Sequence, residues 1–600
     1  MKKILLTVIT LFALQIVFAQ NARLAQQYYQ DGEYEKAASI YKELYAQNER
    51  NHYYFDRYLN CLIALEDFPD AEKAVKKQLK KNPNDLKMYV AYGNLLELQL
   101  KEKEAQEQYD KAIKKLPSDK FFVTQLANAF LGLSKYDEAI AVYEKGGKLL
   151  NNKYAFAYNL AELYRRKGET EAMVKEYLNS LSANPARLQT IKTLLQRYLP
   201  SDQFGIAKQQ LYERIQDEPN AIYYPELLSW IFIQEEDYSK ALRQVRALDR
   251  KLNENGGRVY QLAEIAYNAK DYDAAIDAYD YIVEKKGVTS SFYLDAKQQS
   301  LRAKRNRLIE GFDYSKENLV ALEQEYNTFL DEFGRTKRTA SIILELAELE
   351  AFYLNDLEKP IQRLSEMLEY PNVNRFTLAK AKIRLADFYL MQGEVWEATL
   401  LYSQVDKEFK EDLMGHEARY RNAKLSYYAK DFQWAQAQFD VLKASTSRLI
   451  ANDAIDMSVF IMDNMGLDTT TAPLEIYADA ELLVFQNRFE EAFETMETLS
   501  LKFPEHGLQD DILYLQAQIY IKQGKYEAAA ANFQRIMDEH PEEIRADNAM
   551  FELAGLYENQ LNDVEKAKEL YEILFIDFSG STFAVEARKR YRILRGDDIQ

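Results

Sequence analysis

The sequence contains a single cysteine, Cys61, and only 12 prolines, 20 glycines and four histidines in 600 residues. One cysteine excludes an internal disulfide or a thiolate metal cage, so stability has to come from packing. Cys61 lies in an apolar helical stretch and reads as a buried, inert thiol. So few turn formers exclude a chain of many short strands, which leaves helices. After the first twenty residues no apolar run approaches the roughly 20 residues needed to cross a bilayer. An excess of positive charge is missing too: the formal net charge is -18. Such a chain repels phosphate backbones, and the basic clusters Arg302, Lys304, Arg305, Arg307 and Arg588, Lys589, Arg590, Arg592 read as solvated helix faces rather than a nucleic-acid surface.

Groups able to do chemistry are scarce and scattered. His52, His416, His506 and His540 are far apart in the chain, and no HExxH or paired-cysteine spacing supplies a metal site. Gly146-Gly147 and Gly256-Gly257 lack the pattern of a phosphate loop and read as turns at or beyond helix ends. The reading is therefore of a non-enzyme with no catalytic residues, cofactor or metal. Lys2 and Lys3, the apolar run Ile4 to Phe18, and Val17-Phe18-Ala19 match an export signal cleaved after Ala19. Gln20, not a lipid-accepting cysteine, follows that site. The expectation is a periplasmic protein without a lipid anchor or a membrane-spanning segment.

What the sequence does have is a period of 34 residues. Small residues recur at Ala37, Ala71, Ala105, Ala139, Ala207, Ala241 and Ala275, with Met173 as the larger substitute. One helical turn further on, on the same face, stand Tyr41, Val75, Tyr109, Tyr143, Tyr177, Leu211, Val245 and Tyr279. A second series, Ala25, Leu59, Gly93, Ala127, Ala161, Leu195, Ser229 and Ala263, runs three residues ahead of Tyr28, Leu62, Leu96, Phe130, Tyr164, Tyr198, Phe232 and Ala266. Pro83, Pro117, Pro185 and Pro219 mark unit ends, where proline stops the second helix. Each unit is thus a helical hairpin whose small residues admit close approach of the two helices.

The segments DGEYEKAASIY (31–41), LSKYDEAIAVY (133–143) and AKDYDAAIDAY (269–279) resemble the loop and second helix of the tetratricopeptide repeat (TPR) family. The resemblance implies an all-α, right-handed solenoid of helical hairpins, an α-α superhelix that binds other proteins. Eight units stay in phase over 20–289. Irregular repeats follow over 290–471, with Pro360 in place of the usual alanine, and a partial repeat and loop over Ser445 to Thr471. Sharper repeats return over 472–600, closed by a capping helix at about 581–594. EHPEEIRADNAMFELAGLYE and FIDFSGSTFAVEARKRYRIL look like the bacterial envelope subtype of the family, found in the outer-membrane β-barrel assembly machine and in periplasmic division coordinators.

In this family the first helix of each hairpin lines the concave face. The position after its small residue holds Gln26, Asn60, Asn94, Asn128, Glu162, Gln196, Trp230 and Glu264. A side-chain amide both donates and accepts, so a row of Asn60, Asn94 and Asn128 would hold an extended backbone without reading its sequence. Equivalent positions nearby offer Tyr53, Phe121, Tyr158, Tyr223, Trp230 and Tyr260 as aromatic anchors, and Arg165 for an acidic group. The pattern that clamps a C-terminal carboxylate in some family members is absent, since Gln196 follows Lys192 and Leu227 replaces the next asparagine. The sequence is read as a periplasmic scaffold or adaptor in an envelope complex serving outer-membrane biogenesis, secretion or wall coordination. The alternative is a holdase chaperone for unfolded outer-membrane clients.

Overall fold

Small residues packed against large ones at a fixed spacing demand closely paired helices, and a computed structural model of the chain describes residues 20–49, 51–311, 315–443, 448–465 and 470–597. Among the described residues every regular element is helical. The proposed leader 1–19 lies outside them, as do Gly466 and Thr469. None of the described helices is long and apolar enough to cross a membrane. The chain forms two compact units, one reaching to Leu262 and the other starting at Ala263.

The periodic residues form the core of each hairpin. Every member of the Ala37 and Tyr41 series is at most 4% exposed. The hairpin of Leu86–Leu98 and Glu102–Lys114 shows why a small residue is required. A Cβ on Gly93 would stand 2.2 Å from the ring of Tyr109, a distance no packing adjustment of a buried aromatic absorbs cheaply. Gly146 has the same role, because an added Cβ would meet Val123 at 2.5 Å. This corrects the reading of Gly146-Gly147 as a turn: both lie inside the helix Tyr136–Leu149 and are buried. Cys61 is fully buried, and burial pushes its thiol up to about 11.

The tight turn between the two helices of a hairpin uses a left-handed residue, and it keeps the 34-residue beat at Gly32, Glu66, Leu100, Ser134, Gly168, Glu236 and Lys270. Only two of these are glycine, so the turn is silent in the composition. Phase is lost where the helix Tyr272–Tyr281 unwinds into a π-turn at Ile282–Lys286 and the next two helices lengthen to 19 and 18 residues. Pro360 sits in the first turn of the helix Glu358–Leu368, where its missing N–H is not needed. Arg448–Met465 forms one helix of 18 residues, and the last helix runs Ala584–Arg595 and ends at left-handed Gly596.

In the cluster Arg302, Lys304, Arg305, Arg307 only Arg307 is exposed, as a solvated face would be; the other three are half-buried. Arg302 pairs with Glu345 at 2.7 Å, Lys304 with Glu325 at 2.7 Å, Arg305 with Glu348 at 3.0 Å and Arg307 with Asp273 at 2.7 Å. These ions tie neighbouring helices of the second unit together. Sequence spacing alone does not reveal that acids from three other helices face one basic helix.

Candidate functional site

In the first unit the relevant face is built by the first helices of consecutive hairpins, His52–Ala64, Leu86–Leu98 and Lys120–Leu131. Asn51, Asp85 and Asp119 cap their N-termini with side-chain acceptors for the amides of Tyr53, Met88 and Phe121, which fixes where each helix starts. Between them lies a cavity of about 460 Å³, lined by His52 and Asp56, by Asp85, Lys87 and Met88, and by Phe122 and Gln125. His52 Nδ1 is 3.9 Å from Asp85. Burial holds the Asp56 carboxyl above the usual carboxylate range, against the pull of Lys87 and His52.

Asn60 stands one turn beyond Asp56, and Asn128 one turn beyond Gln125. Asn60 and Asn128 are exposed and Asn94 half-buried. Among the described residues none hydrogen-bonds their side-chain amides. The equivalent acids behave differently. Glu162 accepts from Tyr177 at 2.5 Å, and Glu264 accepts from Tyr279. A buried tyrosine needs a partner for its hydroxyl, and these carboxylates supply it from the facing helix. The asparagine hairpins have no such demand: Val75 carries no hydroxyl, Tyr109 donates to Glu97 at 3.1 Å, and Tyr143 pairs with Asn159.

The aromatic candidates fall into groups. Phe121 is 66% exposed and meets Phe122 edge-on at 5.6 Å, beside the cavity. Tyr53 is exposed, edge-on to Tyr41 at 6.5 Å, with the Arg57 guanidinium 5.2 Å above its ring. Tyr158 is half-buried between Tyr177 and the Arg187 guanidinium, which lies 4.8 Å from its ring. Tyr223 packs on Tyr224 at 4.5 Å, and burial pushes its hydroxyl up to about 12. Trp230 follows two turns later in the same helix, and Tyr260 is half-buried in the helix Gly257–Asn268. Arg165 is committed to Glu162 at 3.0 Å and lies 4.3 Å over the Tyr198 ring. A partner's acid would have to compete with Glu162 for it.

The second unit holds a cavity that no sequence pattern announced. About 470 Å³ is enclosed by Leu390, Tyr402, Tyr420, Arg421, Lys424, Tyr428 and Phe485 with Glu417 and Asp453. Arg421 pairs with Asp387 at 3.0 Å and Glu417 at 2.8 Å. Asp387 is 1% exposed and also accepts from Tyr402 at 2.5 Å and Arg384 at 3.0 Å. Burial pushes the Tyr420 hydroxyl up to about 12. The cavity presents apolar walls, aromatic rings and a fixed guanidinium, a surface suited to a peptide side chain. Its residues come from irregular repeats, so no common period marks them. Among the described residues no group of three acids, histidines or cysteines is placed to hold a metal ion.

The family model of the tetratricopeptide repeat matches residues 154–187 and again 511–543, one segment in each unit. No curated protein matches the chain. Among solved structures, the chain is similar to yeast Tom70, with 14% identity over 97% of this chain and 99% of that one and a TM-score of 0.27. A tetratricopeptide repeat protein from Parabacteroides merdae shares 15% identity over 50% of this chain and 98% of its own, with a TM-score of 0.22. Naa15/Naa10 bound to HypK-THB shares 15% identity over 96% of this chain and 94% of that one, with a TM-score of 0.25. At these scores the likeness carries nothing about curvature or partners. With a family segment in each unit, and helical hairpins built on the same small-against-large packing, the chain is a tetratricopeptide repeat protein of the all-α helical-repeat class.

Proposed function

We propose that this chain is a scaffold that binds segments of other proteins along the first helices of its hairpins. The single observation that carries the proposal is the face formed by three consecutive first helices. There the amides of Asn60, Asn94 and Asn128 have no hydrogen-bond partner among the described residues, beside a cavity flanked by exposed Phe121. Amides supply backbone hydrogen bonds, and the cavity and ring supply apolar contact; an extended segment needs both. The export pattern over Lys2 to Ala19 and the envelope-like final repeats support a periplasmic complex as the setting, with envelope proteins as partners. Any attachment to a membrane would then run through those partners. Binding rather than catalysis is the activity in this reading.

A holdase chaperone is the second reading, favoured by the same amide row because it reads no side-chain sequence. In-cell crosslinking, purification and mass spectrometry of the wild type and of N60A/N94A/N128A separate the two. A scaffold yields one stoichiometric partner. A holdase yields many unfolded clients, all lost in the triple variant. Failure to recover any protein from either would sink both readings.

A further inference from the structure

A second, smaller cavity lies in the unit that starts at Ala263, with a volume of about 100 Å³. Its lining is dominated by acids: Asp456 and Asp463 from the helix Arg448–Met465, Asp510 and Asp511 from the first turn of Gln509–Lys522, and Glu543. Arg545 is the one cation among the lining residues. Its guanidinium is already spent on Asp511, at 2.6 Å, and is stacked 5.0 Å from the Tyr514 ring and 5.7 Å from Phe460. One guanidinium faces five acids; burial raises Asp456, Asp510 and Asp511, but with Asp463 and Glu543 also in the lining the acids still outnumber the cation.

Asp510 sharpens the point. It is 3% exposed, the backbone amides of Asp511 and Arg545 serve its carboxyl group, and its Oδ1 is buried without a hydrogen-bond partner among the described residues. A buried acceptor left unpaired costs about 1–3 kcal/mol, and more when it is charged. Such a cost is recovered when a donor arrives. Asp456 and Asp463 are exposed and would meet that donor first. The carboxylates are not arranged as a metal cage, and the volume suits the head of one side chain rather than a folded element.

We propose that this pocket receives a lysine or arginine side chain of a protein partner, with Asp510 as the buried acceptor and Asp456 and Asp463 at the entrance. The inference rests on the protein-binding reading and adds the chemistry that one partner residue must have. Selection follows from complementarity: a neutral side chain leaves the carboxylates unpaired, and an acidic one adds repulsion.

Calorimetric titration of the purified full chain with Nα-acetyl-arginine amide, Nα-acetyl-lysine amide and the neutral Nα-acetyl-citrulline amide tests the pocket without needing the partner. The expected result is one saturable site that takes a cationic amide at least about tenfold more tightly than citrulline amide. That affinity should fall at least about tenfold in D456N/D463N and hold in E102Q/E104Q, which removes equal charge from exposed positions of the other unit. Equal binding of citrulline amide, equal loss in both variants, an unchanged D456N/D463N, or no saturable binding overturns the proposal. Should crosslinking still recover a partner in that event, the pocket falls and the protein-binding reading stands.

Discussion

From Gly32 to Glu236, within the first unit, the left-handed turn between paired helices returns on a strict 34-residue beat, missing only the position of Asp202, whereas at Gly393, Lys430, Asn487, Gly524 and Asn562 of the second unit the steps are 37, 57, 37 and 38 residues. The long step contains the additional helix Arg448–Met465. Equal steps let every hairpin stack on the next in the same way, so one small-against-large contact, such as Gly93 under Tyr109, serves repeatedly. Unequal helices do not present matching ridges and grooves. In the second unit long charged side chains bridge the mismatches, as in Arg302 to Glu345, Arg384 to Glu348 and Arg421 to Asp387. Buried ion pairs add little net stability but penalise any arrangement that separates them. The first unit is therefore sensitive mainly to volume, and the second to charge and pH.

The largest effects should come from breaking each device in its own unit. Tyr109→Ala opens a cavity and should cost about 3–5 kcal/mol at any pH between 5 and 8. Arg545→Leu should cost about 3–5 kcal/mol at pH 8, because Asp510 and Asp511 lose their cation, and clearly less at pH 5. Denaturant titration of both variants at the two pH values reads this, and equal pH dependence would erase the distinction between the units.

A smaller effect follows from two acids of the second unit. Burial pushes Asp511 and Glu350 each up to about 7, against the pull of Arg545 and Arg363 respectively. Their folded-state values lie above the ordinary carboxylate range, so the folded state binds these protons more tightly than the unfolded state. Stability from this source rises as pH falls through about 7 and levels off below about 4, with a slope of at most about 1.4 kcal/mol per pH unit for each proton. Hydrogen exchange in Ala340–Phe352 and Gln509–Lys522, corrected for intrinsic rates, should slow over that window; unchanged or faster exchange contradicts it.

Leu100 adopts φ 62° while 87% exposed. Glycine relieves a left-handed penalty of about 1–2 kcal/mol at an entropic cost of about 0.5–1. Leu100→Gly should thus raise the first unit's stability by about 0.5–1 kcal/mol in thermal unfolding, and a loss would show that the side chain contributes packing. N60A/N94A/N128A is expected to shift stability least per site, by no more than about 0.5 kcal/mol each, as two exposed amides and one half-buried amide without partners among the described residues should. A larger loss would mean the row is structural.

Which residues face the core was legible from spacing, because helical periodicity and close packing leave few residue types tolerable at Ala105, Gly93 or Tyr109. The hairpin, its order and the inert Cys61 followed from the same rule. The Asn60, Asn94 and Asn128 row could be placed on one face but not separated from Glu162 and Glu264, whose role depends on a tyrosine hydroxyl fifteen residues away. Arg165 had the right position for binding, yet its commitment to Glu162 and Tyr198 is a matter of side-chain direction that spacing does not encode.

Local pattern by itself thus determined the helical repeat, the buried small and aromatic series, and the absence of an internal disulfide. Tertiary structure alone decided the ion network of Arg302 to Arg307, the two second-unit cavities and the buried Oδ1 of Asp510, which has no hydrogen-bond partner among the described residues. Packing within a hairpin is set by neighbours one helical turn apart, which a period records. Charge pairing across irregular repeats joins residues at unequal separations, and only the folded chain brings them together.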